Sequence, residues 1–310
     1  MAWYGYLRPL EVAHAEPPLP PPLPPGRFVD VPKRGEMLVR ELPASRDTSS
    51  PTILLLHGWT LSADLNWFAL YAAMARHGRV LAMDVRGHGR GLRSEQRFSL
   101  EAAADDAAAL VEHLGAGPVI VVGYSMGGSI GLLMWRRHPQ TVAGLILQST
   151  ALQWRAALHE RVLWNSMAGL EYVLRFGVPH GLTERYLRSA AEQNPDLQPV
   201  LPWLKAEALR GNPSDIAAAG RGLSAFDARP YAPNVDVPAV VIVSKRDRLI
   251  WADRQRELAA AIPDSEMIEI DVAHNGWLVH PDVVCDAIET GLGLVAQRLV
   301  PRQEVFGQLV

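Results

Sequence analysis

Ser125 lies at the centre of Gly123-Tyr124-Ser125-Met126-Gly127, a G-x-S-x-G run. The apolar stretch Pro118–Val122 leads into it, and a helix-compatible segment, Gly128–Arg137, follows. Strand, sharp turn, helix is the order in which a serine is held in a strained backbone conformation with its hydroxyl pushed out of the sheet edge. Side chains two positions before and after the serine would collide with such a turn, and both positions are glycine. A serine presented in this way can attack a carbonyl carbon when a base takes its proton and an anion pocket receives the charge. The pentapeptide alone is often only a small-residue turn, so its flanks and its partners elsewhere decide the reading.

The elements that must hold such a serine alternate along the chain. Strands are expected at Arg27–Val31, Met37–Leu42, Thr52–Leu56, Val80–Met83, Val119–Val122, Ala143–Leu147, Ala239–Val243 and Glu266–Ile270. The later ones are short, continuous Val/Ile/Leu runs, as in parallel strands covered on both faces. Helices are expected at Trp67–Arg76, Leu100–Leu114, Ser129–His138, Asp253–Ala261 and Val283–Leu299. The fold class is therefore α/β, a doubly wound, mostly parallel sheet. Between Ser149 and Val237 no strand pattern appears. Helical patterns at Leu158–Phe176, Thr183–Ala191 and Trp203–Leu209 are broken there by Pro195, Pro199, Pro202 and Pro213. A helical insertion after the sixth strand reads as a cap over the carboxyl edge of the sheet, where ligands of open α/β sheets bind. The expected division is a proline-rich extension at 1–26, a core at 27–150 and 238–298, a cap at 151–237 and a tail at 299–310.

Composition narrows the chemistry. A chain of 310 residues with 48% hydrophobic and 20% charged residues suits one large domain with an insertion, or two small ones. A formal charge of −3 offers no electrostatic case for nucleic acid, and the arginines of Arg86–Arg93 are few and interleaved with glycine. Cys285 is the single cysteine, so no disulfide forms within the chain and no thiolate metal cluster is available. Neither H-x-x-x-H nor an acidic cluster is present, and no metal is expected. Asp84-Val85-Arg86-Gly87-His88-Gly89 lacks the glycine spacing of a phosphate cradle. Arg8, Pro9 and Glu11 interrupt any signal-peptide core, and no run reaches the ~18 apolar residues that span a bilayer. A cytoplasmic protein is expected. Residues 17–25 read PPLPPPLPP, a polyproline II tract that reads as a stiff surface spacer, with a ligand for a proline-binding module as the alternative.

Taken together, His57-Gly58-Trp59, Asp84-x-Arg86-Gly87-His88-Gly89, the Gly123–Gly127 turn, Asp247 and His274 make the chain resemble the α/β-hydrolase fold family, in its capped esterase, lipase and haloperoxidase-like group. The resemblance covers roughly residues 27–298. It implies a triad in the order serine, acid, histidine, with Ser125 as nucleophile, Asp247 as the acid after the seventh strand and His274 as the base in the loop after the last. The family's usual glycine before this histidine is Ala273 here. His280, before Pro281, is the competing histidine, and Asp271 and Asp253 are the rival acids. Two backbone amides would form the oxyanion hole, from Met126 after the nucleophile and, by the resemblance, from Trp59, with Thr60 the nearest alternative. His57 and His88 are expected to be structural.

Trp154, Trp164, Met167 and Phe226 of the insertion, with Leu61 beside the catalytic loops, are candidates for an apolar substrate pocket, although most such residues pack a cap onto its core. The expected activity is cofactor-free hydrolysis of a small-molecule ester with an apolar acyl or alcohol group. Perhydrolysis, C–C bond hydrolysis and acyl transfer use the same triad. A ligand-binding protein without turnover is the non-enzymatic alternative.

Overall fold

A computed structural model describes residues 18–44, 51–155 and 180–299. Eight strands form one sheet: β1 Gly26–Val31, β2 Gly35–Leu42, β3 Ile53–Leu56, β4 Val80–Met83, β5 Val119–Tyr124, β6 Val142–Gln148, β7 Ala239–Ser244 and β8 Glu266–Ile270. Their spatial order is β1-β2-β4-β3-β5-β6-β7-β8. The pairs β1–β2 and β2–β4 are antiparallel, and every later pair is parallel. The chain steps from β3 to β4 on one side and then crosses back over β3 to β5 on its other side. The loops after β3 and β5 therefore flank a switch point at the carboxyl edge, where an open sheet leaves a crevice.

The sheet is buried because its strands are apolar on both faces. In β3, Leu54 and Leu56 enter one core cluster while Ile53 and Leu55 enter the other. This is the period-two alternation of a strand, and all four side chains are fully buried. On the first face pack α3 (Leu100–His113) and α4 (Met126–Arg137). On the second lie α1 (Ala63–Trp67), α2 (Tyr71–Met74) and the long C-terminal helix Pro281–Leu299. Each leucine or isoleucine sealed in this way contributes about 1.5–3 kcal/mol.

Between β6 and β7 the described residues form a helical insertion: α5 His180–Gln193, α6 Leu201–Ala208 and α7 Pro213–Ala225. The remaining α-helices among the described residues, in chain order, are α8 Ala252–Ala261, α9 Gly276–Val279 and α10 Pro281–Leu299. The helix expected at Leu158–Phe176 lies outside the described residues. A buried ionic clasp ties α6 to the core. Glu207 accepts both arms of the Arg90 guanidinium at 2.7 and 2.8 Å, the Ser62 hydroxyl at 2.8 Å and Arg210 Nε at 2.8 Å. Arg40 forks onto the neighbouring buried Asp64 at 2.8 and 2.7 Å. A second link runs from the Trp59 indole N–H to the Ile216 carbonyl in α7, at 2.6 Å.

Two elements differ from expectation. The helix expected at Trp67–Arg76 is two short helices. Ser62 caps the first by accepting the Leu65 amide, so it starts earlier, and Leu70 N–H bonds the Trp67 carbonyl three residues back, tightening the chain between the two. α7 has no counterpart among the expected helices. Its Pro213 is not a breaker but the first helical residue, behind an Asn212 cap that accepts the Ser214 and Asp215 amides. The proline tract ends against the sheet. The Pro24 carbonyl accepts Arg40 Nη1 at 2.8 Å, and the Pro25 carbonyl accepts the Glu41 amide at 3.2 Å. Among the described residues no helix is long and apolar enough to cross a membrane.

Candidate active site

Ser125 stands between the last residue of β5 and the first of α4, with φ 54° and ψ −115°. A non-glycine residue pays roughly 1–3 kcal/mol to remain at such a φ, and its surroundings must enforce it. Ser125 N–H donates to the Gln148 carbonyl of β6 at 2.8 Å, and its own carbonyl accepts the Gly128 amide at 3.0 Å. The turn tolerates no side chain at its two glycines. A Cβ on Gly123 would stand 2.5 Å from the Gly127 carbonyl oxygen, and one on Gly127 would drive into the Leu56 carbonyl. The Met126 amide opens α4 and has no acceptor among the described residues, while the Met126 side chain is sealed in the core.

The loop after β3 begins beside this turn, because Leu56 pairs with Gly123. His57 is fully buried. Its Nε2 accepts the Val85 amide at 2.9 Å, so Nδ1 carries the proton and donates to the Gly58 carbonyl at 2.8 Å. Burial, with His88 close by, pushes its pKa down to about 3. With both ring nitrogens engaged, His57 is a neutral brace and not a base. Burial likewise lowers His88 to about 4, and its Nδ1 donates to the Arg86 carbonyl at 3.0 Å. Asp84, raised to about 6 by burial, accepts the Ala63 and Arg90 amides at 2.7 and 2.6 Å and fixes this loop to the next. Trp59 and Thr60 follow, Thr60 at φ 64°.

Asp247 and His274 come from the loops after β7 and β8, which are adjacent strands. Asp247 is buried, and its Oδ2 accepts His274 Nδ1–H at 2.6 Å. Its Oδ1 accepts the amides of Leu249 and Ile250 at 2.8 and 2.9 Å. Among the described residues Asp247 makes no ion pair with its basic neighbours Lys245, Arg246 and Arg248. The rival Asp271 is exposed and pairs with Arg246 at 3.4 Å. His280 instead opens the C-terminal helix, its carbonyl accepting the Val284 amide at 3.2 Å.

Two residues at the site carry no sequence signal of their own. Gln255, fully buried in α8, donates from Nε2 to Asp247 Oδ2 at 3.2 Å and to the Ile250 carbonyl at 2.6 Å, and its Oε1 accepts the Ser244 amide at 2.9 Å. A glutamine on the sheet-facing side of a helix is the only hint available. Tyr124, just before Ser125, donates its hydroxyl to the His274 carbonyl at 2.5 Å, and the two rings lie 5.2 Å apart. Tyr124 thus couples the β5 turn to the histidine loop. No hydrogen bond joins Ser125 Oγ to His274 directly.

A cavity of about 1010 Å³ opens on Asp247 and His274, bounded by the Lys245–Leu249 loop, the start of α8 and Tyr186 of α5. Ser125, Trp59 and Leu61 are not on its wall. Trp154 and Phe226 are buried in the α3/α4 core cluster, where Trp154 donates its indole N–H to Ser129 Oγ at 3.2 Å. Both pack the insertion and do not face this cavity. Trp164 and Met167 lie outside the described residues. Among the described residues no three His, Cys, Asp or Glu side chains are grouped for a metal ion.

Fold and site geometry together define a class: the chain belongs to the alpha/beta hydrolase fold family, which matches residues 51–281. It is similar to the pimeloyl-[acyl-carrier protein] methyl ester esterase of Chromobacterium violaceum, at 30% identity over 241 residues, covering 74% of this chain and 89% of that one. A thermophilic esterase from Thermogutta terrifontis superposes with a TM-score of 0.72 at 24% identity, covering 88% of this chain and 99% of the other. A bromoperoxidase from Bacillus anthracis gives 0.73 at 17% identity over 87% and 100%. These two structural likenesses show the fold alone.

Proposed function

We propose that the protein is a serine hydrolase of carboxylic esters with an apolar acyl or alcohol group, acting through an acyl-enzyme on Ser125. The reading is carried by the 2.6 Å hydrogen bond from His274 to the buried Asp247, on the same sheet edge as a serine held at φ 54°. With Nδ1–H committed to Asp247, His274 presents Nε2 as a lone pair. As Ser125 Oγ attacks the ester carbonyl, its proton passes to Nε2, and Asp247 stabilises the imidazolium. The Met126 and Trp59 amides receive the oxyanion, a donor of this kind being worth about 3–4 kcal/mol of barrier. The imidazolium then protonates the departing alkoxide. Water, deprotonated by Nε2, attacks the acyl-enzyme, and the imidazolium returns the proton to the departing Ser125 Oγ, releasing the acid and regenerating Ser125. Hydrogen bonds between nucleophile and base are often long before substrate binds and tighten in the complex, so the absent Ser125–His274 bond is compatible with this sequence. Helices α5–α7 act as the cap over the site. The resemblance of the chain to curated esterases supports the same chemistry.

The test is turnover of p-nitrophenyl esters of graded acyl length. The wild type should hydrolyse them, and Ser125→Ala should lose at least about 10³-fold in kcat. A folded wild type inert across the series contradicts the reading.

A further inference from the structure

Resting on that esterase reading, we propose that the substrate is a half-ester, an apolar chain ending in a free carboxylate, and that Arg248 at the mouth of the cavity binds the carboxylate. The charges around the cavity that opens on His274 are unequal. Lys245, Arg246, Arg248 and Arg256 all line it. Arg256 is neutralised by Asp253 at 2.8 Å and Glu269 at 2.7 Å. Arg246 is held by Asp271, through its carboxylate at 3.4 Å and its carbonyl. Lys245, an ammonium without a bidentate fork, adds only a little to the pull by which Arg256 holds the Glu269 carboxyl low. Asp247 is withdrawn from the cavity chemistry, since both of its oxygens are occupied. Arg248 is left. It is exposed, lines the cavity and has no hydrogen bond or ion pair among the described residues.

The same opening also gathers exposed apolar side chains. Of seven exposed large hydrophobic side chains among the described residues, Leu249, Trp251 and Tyr186 gather on this cavity. An apolar wall with one unneutralised guanidinium suits an amphiphilic anion. Arg248 follows in the chain the residue that fixes the His274 imidazole. A carboxylate held there would keep the far end of a short acyl chain at the mouth while its ester end reaches the histidine. A guanidinium can meet a carboxylate with two parallel N–H bonds, which orients the chain as well as holding it. A neutral ester gains nothing from that contact.

Two measurements test this. The first is the ratio of kcat/KM for monomethyl adipate to that for methyl hexanoate, in the wild type, Arg248→Gln and Arg248→Lys. The wild type should favour the half-ester at least tenfold. The ratio should collapse toward one in Arg248→Gln, through a rise in half-ester KM rather than a fall in kcat, and partly return in Arg248→Lys. The second is calorimetric titration with adipate, which needs no turnover. Adipate should bind the wild type and bind Arg248→Gln at least tenfold more weakly. A ratio unchanged in Arg248→Gln, or both esters falling together, overturns the proposal, as does equal adipate binding by the two proteins. Failure of the ester reading has a different signature: neither ester is turned over by the wild type, while the adipate titration still separates a carboxylate-binding Arg248 from an idle one.

Discussion

Asp247 divides its oxygens between two sets of donors. Oδ1 takes the Leu249 and Ile250 amides, and Oδ2 takes His274 and Gln255. Asparagine cannot serve both. Its single oxygen is needed by the two backbone amides, so its amide nitrogen would face His274 Nδ1 and turn the imidazole to the wrong tautomer. Asp247→Asn should therefore lower kcat by about 10⁴-fold with little change in KM, read from ester kinetics; a loss under tenfold would place the base elsewhere. Gln255→Leu strands the Ser244 amide and frees one side of Asp247. It should cost about 2 kcal/mol in urea unfolding and lower kcat rather than raise KM. The reasons these residues differ in legibility are physical. Ser125 announces itself because its turn forbids side chains at Gly123 and Gly127. Gln255 acts through a buried network that brings together a strand end, a loop and a helix, and no local pattern encodes such a meeting. Tyr124 occupies a variable position of the G-x-S-x-G run, so only its packing on His274 reveals it.

At the scale of elements, the insertion is held by polar contacts that are themselves buried. Glu207 of α6 meets Arg90 and Ser62 of the core, and the carboxylate is sealed from solvent. Glu207→Ala leaves Arg90 half-buried with only its longer 3.5 Å contact to Asp64 and should destabilise the protein by about 3–5 kcal/mol, measured by urea unfolding. Glu207→Gln, which keeps the shape and two acceptor lone pairs, should cost less. Equal stability of all three proteins would mean the clasp carries no weight. The strands are legible because both faces of the central ones are buried, which forces continuous Val/Ile/Leu runs. The insertion is less so, since its helices answer to tertiary contacts. Pro213 reads as a breaker until the Asn212 cap and the Asn212 amide bond to the Gly87 carbonyl place it at a helix start. The break between α1 and α2 is equally tertiary, as Trp67, Leu70, Tyr71 and Met74 must all reach one buried cluster.

For the whole molecule, three buried groups contribute to the acid response with opposing signs. His57 and His88 titrate near 3 and 4 in the folded protein, below an ordinary histidine near 6.5. The unfolded chain therefore takes up protons first, and stability falls as pH drops below 6.5. Asp84, raised from 3.8 to about 6, acts with the opposite sign, since the folded state binds its proton first between those values. Between pH 6 and 4 these three groups together leave about one excess proton on the unfolded chain. These groups then remove about 1 kcal/mol per pH unit, checked by urea unfolding at pH 6, 5 and 4. His88→Asn, whose amide nitrogen can replace Nδ1–H on the Arg86 carbonyl, should flatten that slope; an unchanged slope would contradict the assignment. The proposed hydrolysis likewise requires convergence, since Ser125, Asp247 and His274 follow three different strands. It is tested most directly by treating the wild type with a fluorophosphonate and mapping the adduct by peptide mass spectrometry. A single adduct on Ser125 is expected, absent in Ser125→Ala and strongly slowed in Asp247→Asn. A folded wild type left unlabelled, or labelled at another residue, would contradict it.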